Sequence, residues 1–103
     1  DPRLADAVRI FEFNLSGPIT LREVAAELKL TEQQLIRLFR KHYDMTPMDF
    51  LRELRMRKAA TLLRSSAMPV GEIARTCGYA LPRSFCREFR KRFGKSPLHD
   101  RKQ

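Results

Sequence analysis

Residues 35–47 read LIRLFRKHYDMTP, and residues 85–97 read FCREFRKRFGKSP. Laid one over the other, 50 residues apart, they keep their pattern. Leu35 falls on Phe85, Arg37 on Arg87, Phe39 on Phe89 and Arg40-Lys41 on Arg90-Lys91. Tyr43 falls on Phe93, and Thr46-Pro47 on Ser96-Pro97. The apolar positions recur at three and four residues, the period of an amphipathic helix. Periodicity alone could align apolar residues. It does not produce an R-x-F-R-K string followed at one fixed distance by Thr/Ser-Pro. The chain therefore contains an internal repeat.

Upstream the repeat continues with an offset of 49, so one extra residue falls in the turn of the second copy. Glu23-Val24-Ala25 matches Glu72-Ile73-Ala74, and Leu30 matches Tyr79. Each copy is a short helix, a tight turn and a longer helix, the helix-turn-helix layout. The residue types suit it. Ala25 and Ala74 are small enough for two helices to approach, and Leu30 and Tyr79 fill the corner. Leu35, Leu38 and Phe39, with Phe85 and Phe89, anchor the longer helices.

The rest of the chain is helical as well, and no sustained alternation suggests a strand. The pattern predicts an all-α fold of seven helices. The first runs from about Leu4 to Asn14, with Ala7, Ile10 and Phe11 on one face, and stops at Gly17-Pro18. Thr20, with Glu23 three residues on, has capping-box spacing and opens a second helix that buries Val24, Ala25 and Leu28. Thr31 caps a third, ending near Tyr43-Asp44. Pro47 takes the favoured first position of a fourth that reaches about Arg64, with Phe50, Leu51, Leu54, Ala59, Leu62 and Leu63 turned inward. A fifth helix spans Val70 to about Cys77, and a sixth Pro82 to Phe93. A short seventh from Ser96-Pro97 frays into Asp100-Arg101-Lys102-Gln103. The expected organisation is two helix-turn-helix subdomains, 1–46 and 66–103, joined by a linker helix, 47–65.

The formal net charge is +9, which favours a polyanionic partner. The excess is localised. Residues 1–36 carry four basic and six acidic side chains, and residues 37–103 carry seventeen and six. On the longer helices Gln33, Ile36, Arg37 and Arg40 share one face, opposite the apolar anchors. Arg83, Cys86, Arg87 and Arg90 share the equivalent face. Arg can fork onto guanine O6 and N7, Gln can pair with adenine, and Ile or Cys can touch a thymine methyl. Duplicated faces of this kind suit double-stranded DNA. The major groove of A-form RNA is too deep and narrow for side chains to read. A linker of about 18 residues is roughly 27 Å long, of the order of the roughly 34 Å between major-groove faces one turn apart. Because the two faces differ, the site they read should be asymmetric.

Other chemistries find little support. The chain is expected not to be an enzyme, to use no cofactor and to bind no metal. His42 and His99 belong to no visible catalytic set, and no phosphate-binding glycine loop or metal-ligand spacing appears. Cys77 and Cys86 form neither a disulfide framework nor a zinc pattern. Cys86 would be reactive only if neighbouring arginines lowered its pKa; a small groove or surface contact is the plainer reading. No run of about 18 apolar residues exists, so no membrane span is expected. The opening DPRLADAV lacks the charged and apolar segments of a signal peptide. These features suggest a cytoplasmic, nucleoid-associated protein.

The stretch GYALPRSFCREFRKRFGKSP, residues 78–97, resembles the signature of AraC/XylS-type transcription regulators. LTEQQLIRLFRKHYDMTP, residues 30–47, resembles the first motif of that family, and RMRKAATLL, residues 55–63, its linker helix. The resemblance covers nearly the whole chain. It implies that Gln33, Ile36 and Arg37, with Arg83, Cys86 and Arg87, enter successive major grooves. It implies phosphate contacts by Arg40, Lys41, Arg90 and Lys91 and at helix starts, Thr20, Thr31 and the region of Pro69, where free N–H groups point at an anion. It further implies a bacterial activator that touches RNA polymerase and carries an N-terminal sensor domain, through which it could dimerise. The opening residues resemble the junction found in regulators with an amidotransferase-like sensor. Four positions depart from the pattern. Lys29 stands where the turn commonly has Gly, and Asp44 where the second copy has Gly94. Leu81 replaces a capping Ser or Asp, and Asp100 replaces an aromatic residue.

Overall fold

A computed structural model describes residues 1–102. Every regular element among them is an α-helix. There are seven, as the pattern predicts: α1 Pro2–Phe13, α2 Leu21–Glu27, α3 Glu32–Tyr43, α4 Pro47–Ser65, α5 Val70–Thr76, α6 Pro82–Phe93 and α7 Pro97–Arg101. The chain forms two compact units that divide inside α4, one spanning Asp1–Glu53 and the other beginning at Leu54. Each unit takes part of α4 into its own core, so the linker is shared between the units.

In the first unit, α1 starts two residues before the expected Leu4. Asp1 caps it by accepting the N–H of Arg3 at 2.9 Å, and Pro2 needs no amide partner there. Leu4, Ala7 and Phe11 of α1 are buried with Val24 and Ala25 of α2, Leu35 and Phe39 of α3, and Leu51 of α4. Ile10 and Leu28, expected inside, are half-buried. Aromatic rings dominate the centre. Phe39 lies 5.8 Å from Phe11 and 5.3 Å, edge-on, from Phe50, and Tyr43 lies 4.6 Å from Phe50. Each buried large apolar side chain contributes about 1.5–3 kcal/mol.

In the second unit, Met56, Ala59 and Leu63 of α4 pack with Ile73, Ala74, Cys77, Phe85 and Phe89. Met56 is a core residue that the sequence pattern missed, whereas Leu54 and Leu62 are only half-buried. Phe89 lies between Phe85 at 5.7 Å and Phe93 at 4.6 Å, and Tyr79 closes the corner 5.6 Å from Phe85.

The same turn joins the two helices of each copy. In the first, the Lys29 N–H donates to Ala26 O at 3.1 Å and the Leu30 N–H to Ala25 O at 2.9 Å. In the second, Gly78 donates to Arg75 O at 3.1 Å and Tyr79 to Ala74 O at 2.9 Å. Both are Schellman motifs, which need a left-handed residue. Gly78 supplies it at φ 88° and Lys29 at φ 57°. Lys29 therefore adopts the positive φ that glycine would take without strain. The longer helices end alike, at Asp44 with φ 56° and Gly94 with φ 79°, so Asp44 takes up the left-handed conformation of its counterpart.

The expectation of a fraying tail is wrong for the described residues. Asp100 is buried, with 1% exposure. It accepts two hydrogen bonds from Arg64, at 2.9 Å and 3.2 Å, and lies 3.4 Å from Lys95 Nζ. The Arg101 guanidinium donates to Leu63 O at 2.9 Å and Ser66 O at 3.4 Å. α7 is thereby tied to the end of α4, whose last carbonyls gain partners they would otherwise lack. Gln103, the end of the expected tail, lies outside the described residues.

Candidate nucleic-acid interface

Burial alternates around α3 and α6 as the repeat requires. In α3, Leu35 and Phe39 face the core, while Gln33, Arg37, Arg40 and Lys41 are exposed and Ile36 is half-buried. In α6, Phe85 and Phe89 face the core, while Arg83, Arg87, Arg90 and Lys91 are exposed and Cys86 is half-buried. Each unit thus carries one surface strip of arginine around a smaller, less polar residue. His42 is also exposed.

Ion pairing separates these arginines from others. Arg3 pairs with Asp1, Arg9 with Asp6, Arg52 with Asp49 and Arg64 with Asp100. Among the described residues, Arg37, Arg40, Arg83, Arg87 and Arg90 take part in no ion pair. Their guanidinium forks remain available to an incoming acceptor, and five donors on a planar group suit guanine edges and phosphate.

The helix starts differ in what they offer. Thr31 accepts the N–H of Gln34 at 3.0 Å and donates its own N–H to Gln34 Oε1 at 2.9 Å, leaving its hydroxyl proton unassigned. Thr20 commits both donors to Glu23 Oε1, the N–H at 3.0 Å and the hydroxyl at 2.9 Å. A phosphate would have to displace a carboxylate there. α6 has no side-chain cap; Leu81 stands at that position.

The fold also gathers residues that sequence reasoning left apart. Arg3 of α1 joins Gln34, Arg37 and Lys41 around a shallow hollow of about 210 Å³ floored by Leu30 and Leu38. Arg90 joins Lys95, Ser96 and His99 around another of about 260 Å³. Both border the arginine strips, and both draw on two elements each, which hid them from a one-helix reading. The cysteines remain free thiols. Burial pushes the Cys77 thiol up to about 11, against the opposing pull of Lys58 and Arg55, so Cys77 is a poor nucleophile. Among the described residues no cluster of His, Cys, Asp and Glu could hold a metal ion, and no helix is long and apolar enough to cross a membrane.

Comparison with known proteins agrees with this geometry. Residues 24–103 match the model of a helix-turn-helix domain. Over 99 residues the chain is 38% identical to the HTH-type transcriptional regulator CdhR of Pseudomonas aeruginosa, an alignment covering 96% of this chain and 30% of that regulator. The fold is similar to a crystal structure of a transcriptional regulator with an AraC-type DNA-binding domain from Chromobacterium violaceum. The TM-score is 0.93 at 28% identity, over 99% of this chain and 91% of the other. It is also similar to the DNA-binding domain of AdpA, a global transcriptional factor solved in complex with a target DNA. There the TM-score is 0.89 at 29% identity, over 96% and 89% of the two chains.

Proposed function

Since the chain belongs to the helix-turn-helix domain family, in its AraC/XylS branch, we propose that α3 and α6 are its two DNA-reading helices and that they enter successive major grooves of one duplex. The domain binds double-stranded DNA in a sequence-dependent way and serves in transcription regulation. The observation that carries this reading is the pair of matched strips, each of unpaired guanidiniums backed by a buried aromatic core. Gln33, Ile36 and Arg37 read bases in one groove, and Arg83, Cys86 and Arg87 in the next. Arg40, Lys41, Arg90, Lys91 and the Thr31 hydroxyl hold phosphates. Thr20 joins them by exchanging Glu23 for a phosphate oxygen.

The finer assignments extend the resemblance to that family. The parent regulator activates transcription through contact with RNA polymerase in the cytoplasm, carries an N-terminal sensor domain of amidotransferase-like type, and dimerises through it. The domain itself binds DNA and catalyses no reaction. The functional subdomains are 1–46 and 66–103, with 47–65 as the linker.

Selection of duplexes from a random pool tests the proposal. An asymmetric site should emerge, with two recognised segments about one helical turn apart. Duplex RNA of the same sequence should not compete. Selection of a single segment would remove one of the two reading helices, and equal retention of every duplex would remove both.

A further inference from the structure

We propose that Leu81 is a specificity-determining residue of the second reading helix, where it makes an apolar contact with a thymine methyl group. The proposal deepens the DNA-binding reading above and rests on it. The repeat makes the comparison possible. Fifty residues upstream, the matching position is Thr31, which caps α3 in a reciprocal box with Gln34. In the second copy both halves of that box have changed, Thr31 to Leu81 and Gln34 to Ser84. Consequently α6 starts with no side-chain cap hydrogen bond. Helix starts normally favour Ser, Thr, Asp or Asn because an oxygen there satisfies an N–H that has no partner in the helix.

Leu81 compensates only in part by packing. It is 51% exposed, whereas Phe85, one helical turn on, is fully buried. A leucine that supplies no cap and leaves half of its surface in water returns little inside the unit. Pro82 follows at the first helical position, where its fixed φ and missing N–H suit a helix start. The end of α6 is therefore held by Pro82 while Leu81 projects from it. Arg83 is exposed two residues later, and Arg87 lies one further turn along. Leu81 thus precedes by two residues the strip of α6 assigned to the groove, at the amino end from which recognition helices reach base edges. The apolar group that the major groove offers there is the C5-methyl of thymine.

The test begins with the duplex that the unaltered chain selects from a random pool. Each thymine in that site is replaced in turn by deoxyuridine, which removes the methyl group alone. At one thymine in the segment read by α6, the replacement should weaken binding about fourfold, the effect of one methyl group taken from water. Leu81→Ser should bind the thymine and uridine duplexes equally at that position. It should also melt above the unaltered chain, because the hydroxyl restores a cap. Leu81→Ala, which removes the apolar contact without adding a cap, should lose the same methyl sensitivity and supplies the reading should Leu81→Ser misfold. Methyl sensitivity that persists unchanged in the variants overturns the proposal, as does a site in which no thymine in that segment is sensitive. Failure of the unaltered chain to select any sequence would instead overturn the DNA-binding reading itself.

Discussion

Replacing Lys29 and Asp44 with glycine should stabilise the domain, and the repeat shows by how much. Both residues occupy left-handed backbone, at φ 57° and 56°. Their counterparts in the second copy, Gly78 and Gly94, sit there as glycines at φ 88° and 79°. A side chain with a Cβ costs about 1–2 kcal/mol in this region, with Asp at the lower end. Glycine returns about 0.4–1 kcal/mol of that through its freer unfolded chain. Lys29→Gly should therefore gain roughly 0.5–1 kcal/mol. Asp44→Gly relieves less strain. It also removes a carboxylate from the carboxyl end of α3, where a negative charge is unfavourable by about 0.3–1 kcal/mol. The two changes lie in different turns and should add to about 1–2 kcal/mol. For a domain of this size that raises the melting temperature by roughly 5–12 °C. Thermal melts followed by circular dichroism measure it. Gly94→Ala supplies the reverse experiment. A Cβ at Gly94 would meet nothing within 4 Å, so its cost comes from the backbone conformation alone. If Lys29→Gly melts at or below the unaltered chain while Gly94→Ala is neutral, left-handed strain does not govern these turns and the reasoning fails.

Arg37→Ala and Arg87→Ala should each lose about 1–3 kcal/mol on the selected duplex and relax preference at separate base positions, as read by competition binding. Unchanged preference in either variant would remove that arginine from base readout. Arg40→Ala and Arg90→Ala should instead weaken binding to all duplexes and flatten the slope of log affinity against log salt by about 0.9 each; a slope equal to that of the unaltered chain would place these residues off the phosphates. Asp100→Asn should lower the melting temperature by several degrees at neutral pH. The Arg64 guanidinium, assisted by Lys95, holds the Asp100 carboxyl below its usual pKa against the effect of burial. That stabilisation is fully present above the unfolded pKa of about 4 and is lost as pH falls through the lower folded value. The gap between variant and unaltered chain should therefore close in strong acid, and a gap that stays constant there would refute the ion-pair account.

The freedom of Arg37, Arg40, Arg83, Arg87 and Arg90 has a consequence for binding. Arg3, Arg9, Arg52 and Arg64 already hold carboxylates, so an incoming phosphate would have to compete for them. Arg37, Arg40, Arg83, Arg87 and Arg90 carry no such obligation among the described residues. A net charge of +9 describes the whole chain. On the strips of α3 and α6 these unpaired cations leave that charge open to an incoming acceptor.

The amino-acid order alone determined the number of helices, the capping threonines of α2 and α3 and the two exposed arginine-bearing faces. All of these depend on contacts three or four residues apart, and the duplication let one copy check the other. The exposed positions of Arg37 and Arg87 were legible for that reason. Only the tertiary structure decided what depends on partners far along the chain. Asp100 reads as a polar residue in a weak tail, yet it is buried because Arg64 lies across it, 36 positions earlier. Met56 reads as one apolar residue among several on α4, yet it enters the core because α5 and α6 close over that side. Leu81 reads as a poor cap, but its exposure, which makes it a candidate for the groove, appears only once Phe85 has turned inward. A helix records its own period in the sequence; which of its faces a distant helix will cover is settled only when the chain has packed.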